Sequence, residues 1–484
     1  MTVQATKVAA FVAVLTVATL TVATLTGCTP GPAYVRPSVA MPNHYKDASA
    51  TTPPPGWKSA APNDMLDRGE WWKVFHDASL DALELRVTVS NQTIKQAVAN
   101  LQQAQALAGE ARAAYMPTIG AGVAVNRSHT SKNVVGRSLA GKTVSDFAVG
   151  ADVEWEPDLF DRIGHEVDAA NARAQASQAD LESVALSMHA QLAMDYIDLR
   201  ELDIEADLLN RTVTVYAQAR DIVKHRFDVG VAPASDLAEA ESQLQATQAQ
   251  LIDLGASRAR YEDAIAMLIG VPASSFTLPP QEETIALPSI PTGVPSDLLE
   301  RRPDIAAAER RVAAANADVG EATSAFFPDL MLSASGGMES STLAQWASLP
   351  SHFWSIGPAL VGTLFDGGRR KQALKAAEAK QDAATAVYRQ TVLSAFQEVE
   401  DNLASLNVLR NEALVQQRAV DASTEALRLA MNQYQAGAID YLEVVSAQST
   451  NLEQTQYLSQ LSQRRLDSDI LLIKALGGLW ESGA

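Results

Sequence analysis

Residues 147–155 have the sequence FAVGADVEW, in which apolar side chains alternate with small or acidic ones. This period of two predicts a β-strand with one oily face and one face that carries Asp152 and Glu154. About ten alternating residues that end in an aromatic side chain suit a strand of a transmembrane β-barrel with a polar interior. A half-exposed hairpin on a soluble sheet would carry the same alternation, so the pattern alone leaves both structures open.

The segment before this strand alternates in the same way through Ile119, Ala121, Val123 and Val125, which predicts a β-hairpin over residues 118–156. A helix is expected before the hairpin, from about Leu80 to Tyr115, because the residue before Pro117 avoids helical backbone.

The segment after the hairpin predicts two helices. Residues 161–229 contain no proline and place apolar residues at steps of three and four, which predicts one helix of roughly 100 Å. Gly230 predicts a tight turn, and a second amphipathic helix is expected over residues 234–268.

The same order of elements occurs a second time. AYMPTI at 114–119 recurs as AFFPDL at 325–330, and LFD at 159–161 recurs at 364–366. We therefore expect two structural repeats, 80–277 and 298–477, joined by a proline-rich link over 278–297 and followed by a tail over 478–484. The second repeat would contain a hairpin over 329–365, a long helix over 366–436 and a helix over 440–476.

Charge and composition exclude several functions. The chain of 484 residues has a net charge of −19, which argues against a nucleic-acid partner. No two of the seven histidines have the i, i+3 or i+4 spacing of a helical metal site, and no phosphate loop or G-x-S-x-G nucleophile motif is present. We expect no enzyme, no catalytic residue and no bound metal.

The amino terminus has the pattern of a secretory signal. Lys7 is the only charge before an apolar run, and residues 1–27 therefore form the expected signal peptide. LTG at 25–27 precedes Cys28, the only cysteine, and resembles a bacterial lipobox. This resemblance implies diacylglycerol and an N-acyl chain on Cys28 and no other cofactor, and Thr29 implies outer-membrane sorting. A chance buried or free thiol is the alternative. Residues 28–79 are expected to form an extended, lipid-anchored tether.

The elements have a physical consequence for assembly. Four strands cannot close a barrel, and open sheet edges are not tolerated in lipid. The helices also expose apolar seams that only a neighbour can bury. A closed cyclic oligomer would pair the strand edges and bury the apolar seams of the helices. Its interior, lined by small and acidic side chains, would hold water, which indicates a conduit.

Several motifs together resemble one family. These are CTPGP at 28–32 with Tyr34, Arg36 and Pro37, WWKVF at 71–75, LERRPDI at 299–305, FDGGR at 365–369, and KALGGLW at 474–480. They resemble the RND-efflux outer-membrane factor lipoproteins, which are NodT-type, TolC-like channels. The resemblance implies a mainly α fold with transmembrane β, in which a homotrimer completes a 12-stranded outer-membrane barrel and a periplasmic α-helical barrel.

The same resemblance implies partners and a location. A periplasmic membrane-fusion adaptor would dock on the turns at Gly230 and Gly437, and an inner-membrane RND-type transporter would supply the energy. The chain would be anchored in the outer-membrane lipid of a Gram-negative bacterium and extend into the periplasm.

The helix tips are the candidate gate. In the resembled channels a ring of leucines and a ring of aspartates narrow this end, and Leu442 aligns with the leucine. Ser446 stands where the aspartate would be, so Glu443, or Glu239 from the first repeat, is the candidate for the charge, and Asp236 is a further candidate residue of the tip. Ordinary helix packing of Leu442 is the alternative.

Two other functions remain open at this point. A channel for type I protein secretion would share the architecture, and a non-channel coiled-coil lipoprotein would share the helices.

The net negative charge of the chain has two explanations. An acidic lumen would favour the passage of cations, whereas acidity of surfaces unrelated to the lumen is the competing explanation. The sequence does not identify the exported substrate.

Overall fold

The computed structural model describes residues 30–39, 46, 69–133, 136, 138–281, 283–288, 290 and 301–478. The expected signal peptide, the lipidation residue Cys28, most of the expected tether and all but the first residue of the expected tail lie outside these residues. Part of the expected link, over 291–297, also lies outside them.

Seven α-helices and four strands make up the described elements in two similar series. The first series is α1 (Ala78–Ser90), α2 (Gln92–Ala113), β1 (Thr118–His129), β2 (Thr143–Trp155), α3 (Arg162–Asp228) and α4 (Ala234–Leu268). The second is α5 (Pro303–Ser324), β3 (Asp329–Ser340), β4 (His352–Val361), α6 (Arg369–Gln435) and α7 (Tyr441–Ala475). Each strand and long helix of the first series therefore has a counterpart in the second.

The four strands form one antiparallel sheet in the order β1-β2-β3-β4. The register places Val149 of β2 opposite Val123 of β1 and Met338 of β3, and Ala334 opposite Ile356 of β4. Because side chains alternate between faces, this register gathers most of the apolar residues of the four strands on one face, whereas Met331, Phe353 and Val361 lie on the other. The polar and small residues share that second face.

The described residues divide into two compact units, and neither unit is a single repeat. The first comprises the described parts of Met1–Pro37, Gln102–Ala176 and Ala308–Tyr388, and the second comprises those of Ser38–Leu101, Ser177–Ala307 and Arg389–Ala484. Each unit combines segments of both repeats.

In the first unit, an amino-terminal segment over residues 30–37 lies against α5. The O–H of Tyr34 donates to the Glu309 carboxylate, and Asn316 Nδ2 donates to the Pro32 carbonyl at 3.0 Å. His165 Nε2 donates to the Pro30 carbonyl at 3.0 Å. These bonds hold the segment that directly follows the expected lipidation residue.

In the second unit, residues 71–79 differ from the extended tether that we expected over 28–79. Trp71–Phe75 form a 3₁₀ helix, and Asp77 caps α1 through bonds from the Ser79 and Leu80 amides at 2.8 and 3.0 Å. Trp71, Trp72 and Phe75 are buried in the main core of the unit. Burial of three large aromatic side chains outweighs the entropy of an extended chain.

The helical region expected from about Leu80 to Tyr115 consists of two helices, because the chain breaks at Asn91. The Asn91 Oδ1 atom accepts the Thr93 and Ile94 amides at 2.9 and 3.0 Å, and its Nδ2 donates to the Leu268 carbonyl at 2.8 Å. This side chain is an N-cap for α2 and fixes the break to the end of α4.

Candidate functional site

The apolar face of the sheet is open to the surroundings in one chain. Val123 is 72% exposed and Ile356 is 74% exposed, and Trp354 and Ile119 share their face. Within the described residues, β1 and β4 each pair with one strand and therefore form the two edges of the sheet. A broad exposed apolar face marks contact with lipid or with another protein.

The opposite face is lined by small and polar residues. Gly122, Gly150 and Gly337 are opposite one another in a row across three strands, and Phe353 continues that row on β4. A Cβ atom on Gly150 would lie 3.4 Å from Phe353 Cζ, and one on Gly337 would lie 2.1 Å from the Val149 carbonyl oxygen. Asp152 occupies the neighbouring row beside Gly120, Ser335 and Ser355. The small and polar residues of this face are compatible with contact with water.

Two similar turns close the long helices. Gly230 has a φ of +78° and Gly437 a φ of +77°, the left-handed region that favours glycine. The Val231 amide donates to the Arg226 carbonyl at 2.8 Å, and the Ala438 amide donates to the Gln433 carbonyl at 2.9 Å. Both turns therefore have the hydrogen bonding of a Schellman motif.

A small core supports these turns. The rings of Tyr434 and Tyr441 pack edge to face with centroids 5.1 Å apart, and Val223, Ala240 and Val444 are buried with them. Arg226 lies over the Tyr434 ring at 4.7 Å and donates through Nη1 to the Tyr434 carbonyl at 2.9 Å. This cluster was not predicted from the sequence, although the two tyrosines on either side of Gly437 were a usable signal.

The structure separates the predicted tip residues into two groups. On α7, Leu442 is 60% exposed, and Glu443 and Ser446 are exposed and line one groove. On α4, Asp236 and Glu239 are half-buried and lie near the tyrosine cluster.

The α4 carboxylates affect the tyrosines. Burial raises the pKa of Tyr434 and raises that of Tyr441 to about 12, and the negative charge of Asp236 adds to both shifts. Leu442 does not belong to the tip core of its own chain, in contrast to its neighbours Tyr441 and Val444. Its role as a gate remains a prediction.

In the part of the chain that the structure describes, no three His, Cys, Asp or Glu side chains are grouped so that they could hold a metal ion. No described helix has a stretch that is both long and apolar enough to cross a membrane.

Comparison with known proteins gives consistent results. A family model described as "Outer membrane efflux protein" matches residues 86–271 and again 294–478. The chain is 31% identical to "Outer membrane protein OprJ" of Pseudomonas aeruginosa over 461 residues, which cover 94% of each chain. It is 28% identical to "Cation efflux system protein CusC" of Escherichia coli, covering 94% of this chain and 96% of that protein.

Solved structures agree with these relatives. The outer-membrane channel OprN matches with a TM-score of 0.84 and 29% identity, covering 94% of this chain and all of that one. A crystal structure of CusC matches with a TM-score of 0.80 and 25% identity, covering 93% and 100%.

Proposed function

The chain belongs to the outer membrane efflux protein family, as an RND-type outer-membrane factor, and from this membership we propose that three copies close one passive conduit. Its fold is TolC-like, its location is the outer membrane, and its function is that of an efflux-pump channel. The number of copies, the partners and the roles of individual residues are the proposal.

The open sheet carries this proposal. Its apolar face suits lipid, but the unpaired N–H and C=O groups at the β1 and β4 edges do not. Pairing β1 of one copy with β4 of the next satisfies both edges. Repeating this around a threefold axis gives a closed barrel of twelve strands, in which the face with Asp152 lines the lumen.

The helix tips supply the second part of the proposal. The turns at Gly230 and Gly437 have the same backbone geometry, so three copies would present six similar turns. A periplasmic membrane-fusion adaptor would dock on these turns, and it would connect the conduit to an inner-membrane RND-type transporter. Leu442 from three copies would narrow the tip, with Glu443, Glu239 or Asp236 supplying charge at that level.

The conduit requires no chemistry of its own. We propose that the chain is not an enzyme and needs no cofactor beyond the acyl chains on Cys28, which would anchor each copy in the membrane. Type I protein secretion is the alternative function, and the description of the family and the name of CusC favour efflux.

The native mass of the protein, extracted from outer membranes in detergent, tests the proposal. A mass three times that of one chain is expected. A stable monomer that binds lipid would overturn the shared barrel, because one sheet would then have to remain open in the membrane. Solute release from proteoliposomes provides the matching functional measurement.

A further inference from the structure

An open groove runs between α6 and α7 in the second unit. It has a volume of about 400 Å³, and it is lined by Ala404, Ser405, Val408, Leu409, Arg464 and Ser468. Val408 is 61% exposed there. A branched apolar side chain at the centre of a wide groove is a surface that another element could cover.

The corresponding groove of the first repeat is already covered. Each of the two helices has the same length as its counterpart in the other repeat, and both pairs are offset by 207 residues, from Arg162 to Arg369 and from Ala234 to Tyr441. Subtracting this offset from the residue numbers gives the equivalent positions on α3 and α4. Glu201 is the counterpart of Val408, and Ile197 is the counterpart of Ala404. Ile197 is almost completely buried.

Helix α7 of the same chain covers that groove. The Ser459 hydroxyl donates to the Glu201 carboxylate, Gln456 Nε2 donates to Glu205 at 3.0 Å, and Gln463 donates to Asp198. Gln243 of α4 also donates to the Ser449 hydroxyl of α7 at 3.1 Å. The covering helix therefore contacts the α3 wall of the first groove, and it also contacts α4 nearer the helix tip.

The repeat relation then identifies what covers the second groove. The counterpart of α7 is α4, and the counterpart of Ser459 is Ile252, which is 78% exposed in its own chain. Because no described residue of the chain covers this face of α4, we assign the covering helix to another copy. We propose that Ile252 of one copy packs on Val408 of the next, an inference that rests on the proposed trimer.

This assignment makes the two kinds of junction chemically different. Within one chain, carboxylates of α3 accept hydrogen bonds from α7. Between copies, the same position is a contact of isoleucine with valine. The apolar contact has no polar group to satisfy in the separated chain, so exposure to water opposes separation of the copies.

The strand-to-helix junctions in the first unit support the same head-to-tail arrangement. The Phe160 ring stacks on Phe327 with centroids 4.9 Å apart, which joins the first repeat to the second. The repeated LFD motif makes Phe365 the counterpart of Phe160. The repeated segment around Pro117 and Pro328 makes Met116 the counterpart of Phe327. These side chains are 88% and 69% exposed, so the pair that would continue the arrangement is left open in one chain. Phe365 would therefore cover Met116 of the next copy.

Site-directed crosslinking in outer membranes tests the proposal. The variant Ile252→Cys/Val408→Cys, treated with a short bis-maleimide, should give covalent trimers in a denaturing gel, because each copy offers both partners. Each single variant, and the unaltered chain with Cys28 alone, should remain monomeric in that gel. Ile252→Cys/Val415→Cys is the matched control, since Val415 is an exposed valine on α6 about 10 Å further along the helix.

Glu201→Cys/Ser459→Cys is the positive control for reagent access, and it should link within one chain. A native mass of three chains, together with failure of the Ile252/Val408 pair to link while this control reacts, would overturn the interface and leave the trimer intact. A native monomer would overturn both. If the double variant does not assemble, Met116→Cys/Phe365→Cys tests the same arrangement at the other junction, and absence of linkage in assembled trimers again contradicts it.

Discussion

Nδ1 of His189 lies 2.6 Å from Oε2 of Glu84, and both side chains are buried in the core of the second unit. Trp72 stacks on the His189 ring with centroids 4.7 Å apart. Burial raises the pKa of Glu84 to about 9, with a smaller contribution from the charge of Asp81, and lowers the pKa of His189 to about 4. Near neutral pH the pair is therefore a neutral carboxylic acid that donates to a neutral imidazole.

This pair predicts a pH-dependent effect of Glu84→Gln. Below the ordinary glutamate pKa of about 4.3, both folded and unfolded chains hold the Glu84 proton. As the pH rises from there to about 9, only the unfolded chain loses it, so the stability of the unaltered protein falls relative to the variant. The gap should widen by up to about 1.4 kcal/mol per pH unit.

Thermal unfolding in detergent at pH 5, 6, 7 and 8 measures this gap. His189 is present in both proteins, so its own titration largely cancels in the comparison. Parallel stability curves for the two proteins would mean that Glu84 is ionised in the folded state.

The two faces of β1 provide a second prediction. Val123→Asp puts a charge on the apolar face of the sheet. Ala124→Asp, at the next residue of β1, puts the same charge on the opposite face, which carries Asp152. A charged side chain that faces lipid is destabilising near the membrane centre, by about 2–4 kcal/mol for Arg or Lys and by less for Asp. We expect Val123→Asp to lower the amount of assembled protein in outer membranes, whereas Ala124→Asp should assemble nearly normally. Equal yields would contradict the assignment of the faces.

The turn at Gly437 provides a third. Gly437→Ala should destabilise the tip by about 1–2 kcal/mol, because its φ is +77° and an L side chain disfavours that region even though no atom lies within 4 Å of the added Cβ. Gly255→Ala is the control, because Gly255 lies inside α4 with open space around it. This substitution should stabilise the folded protein by about 0.5–1 kcal/mol. Protease resistance of the tip helices measures the difference, and equal behaviour would argue against a strained turn.

The candidate gate gives a fourth prediction. Leu442→Ala should raise ion conductance in planar bilayers if three copies of this exposed side chain narrow the tip. Leu414→Ala, at an exposed leucine of α6 outside the tip, is the control and should leave conductance unchanged. Unchanged conductance in both variants would refute the leucine ring.

Ion selectivity gives a fifth. If the face with Asp152 lines the lumen, the channel should favour cations, and Asp152→Asn should reduce that preference. The reversal potential in a salt gradient measures it. Anion preference in the unaltered channel would show that its surface acidity lies away from the ion path.

The regular elements of this fold were predictable because each has a simple period. Alternation located both hairpins, and α4 has the bounds expected for the helix after Gly230. The register of β2 with β3 was not predictable, because those strands come from different repeats and no short-range turn connects them.

Local features that depend on distant partners were also missed. The break at Asn91 depends on the Leu268 carbonyl, 177 residues away, and a helical period through residues 80–115 does not contain that information. Similarly, Leu442 was chosen from its alignment, but the support of the tip by Arg226 and Tyr434 requires a contact across 208 residues.

The row formed by Gly122, Gly150 and Gly337 has a consequence for whatever travels through the conduit. If this face lines the lumen, as proposed, the wall along that row consists of peptide planes and the flat ring of Phe353, with no charged side chain that could bind a cargo molecule. Such a wall would bind passing molecules weakly. Neutral molecules of very different structure could pass this row equally well, which leaves the choice among them to the proteins that load the tube.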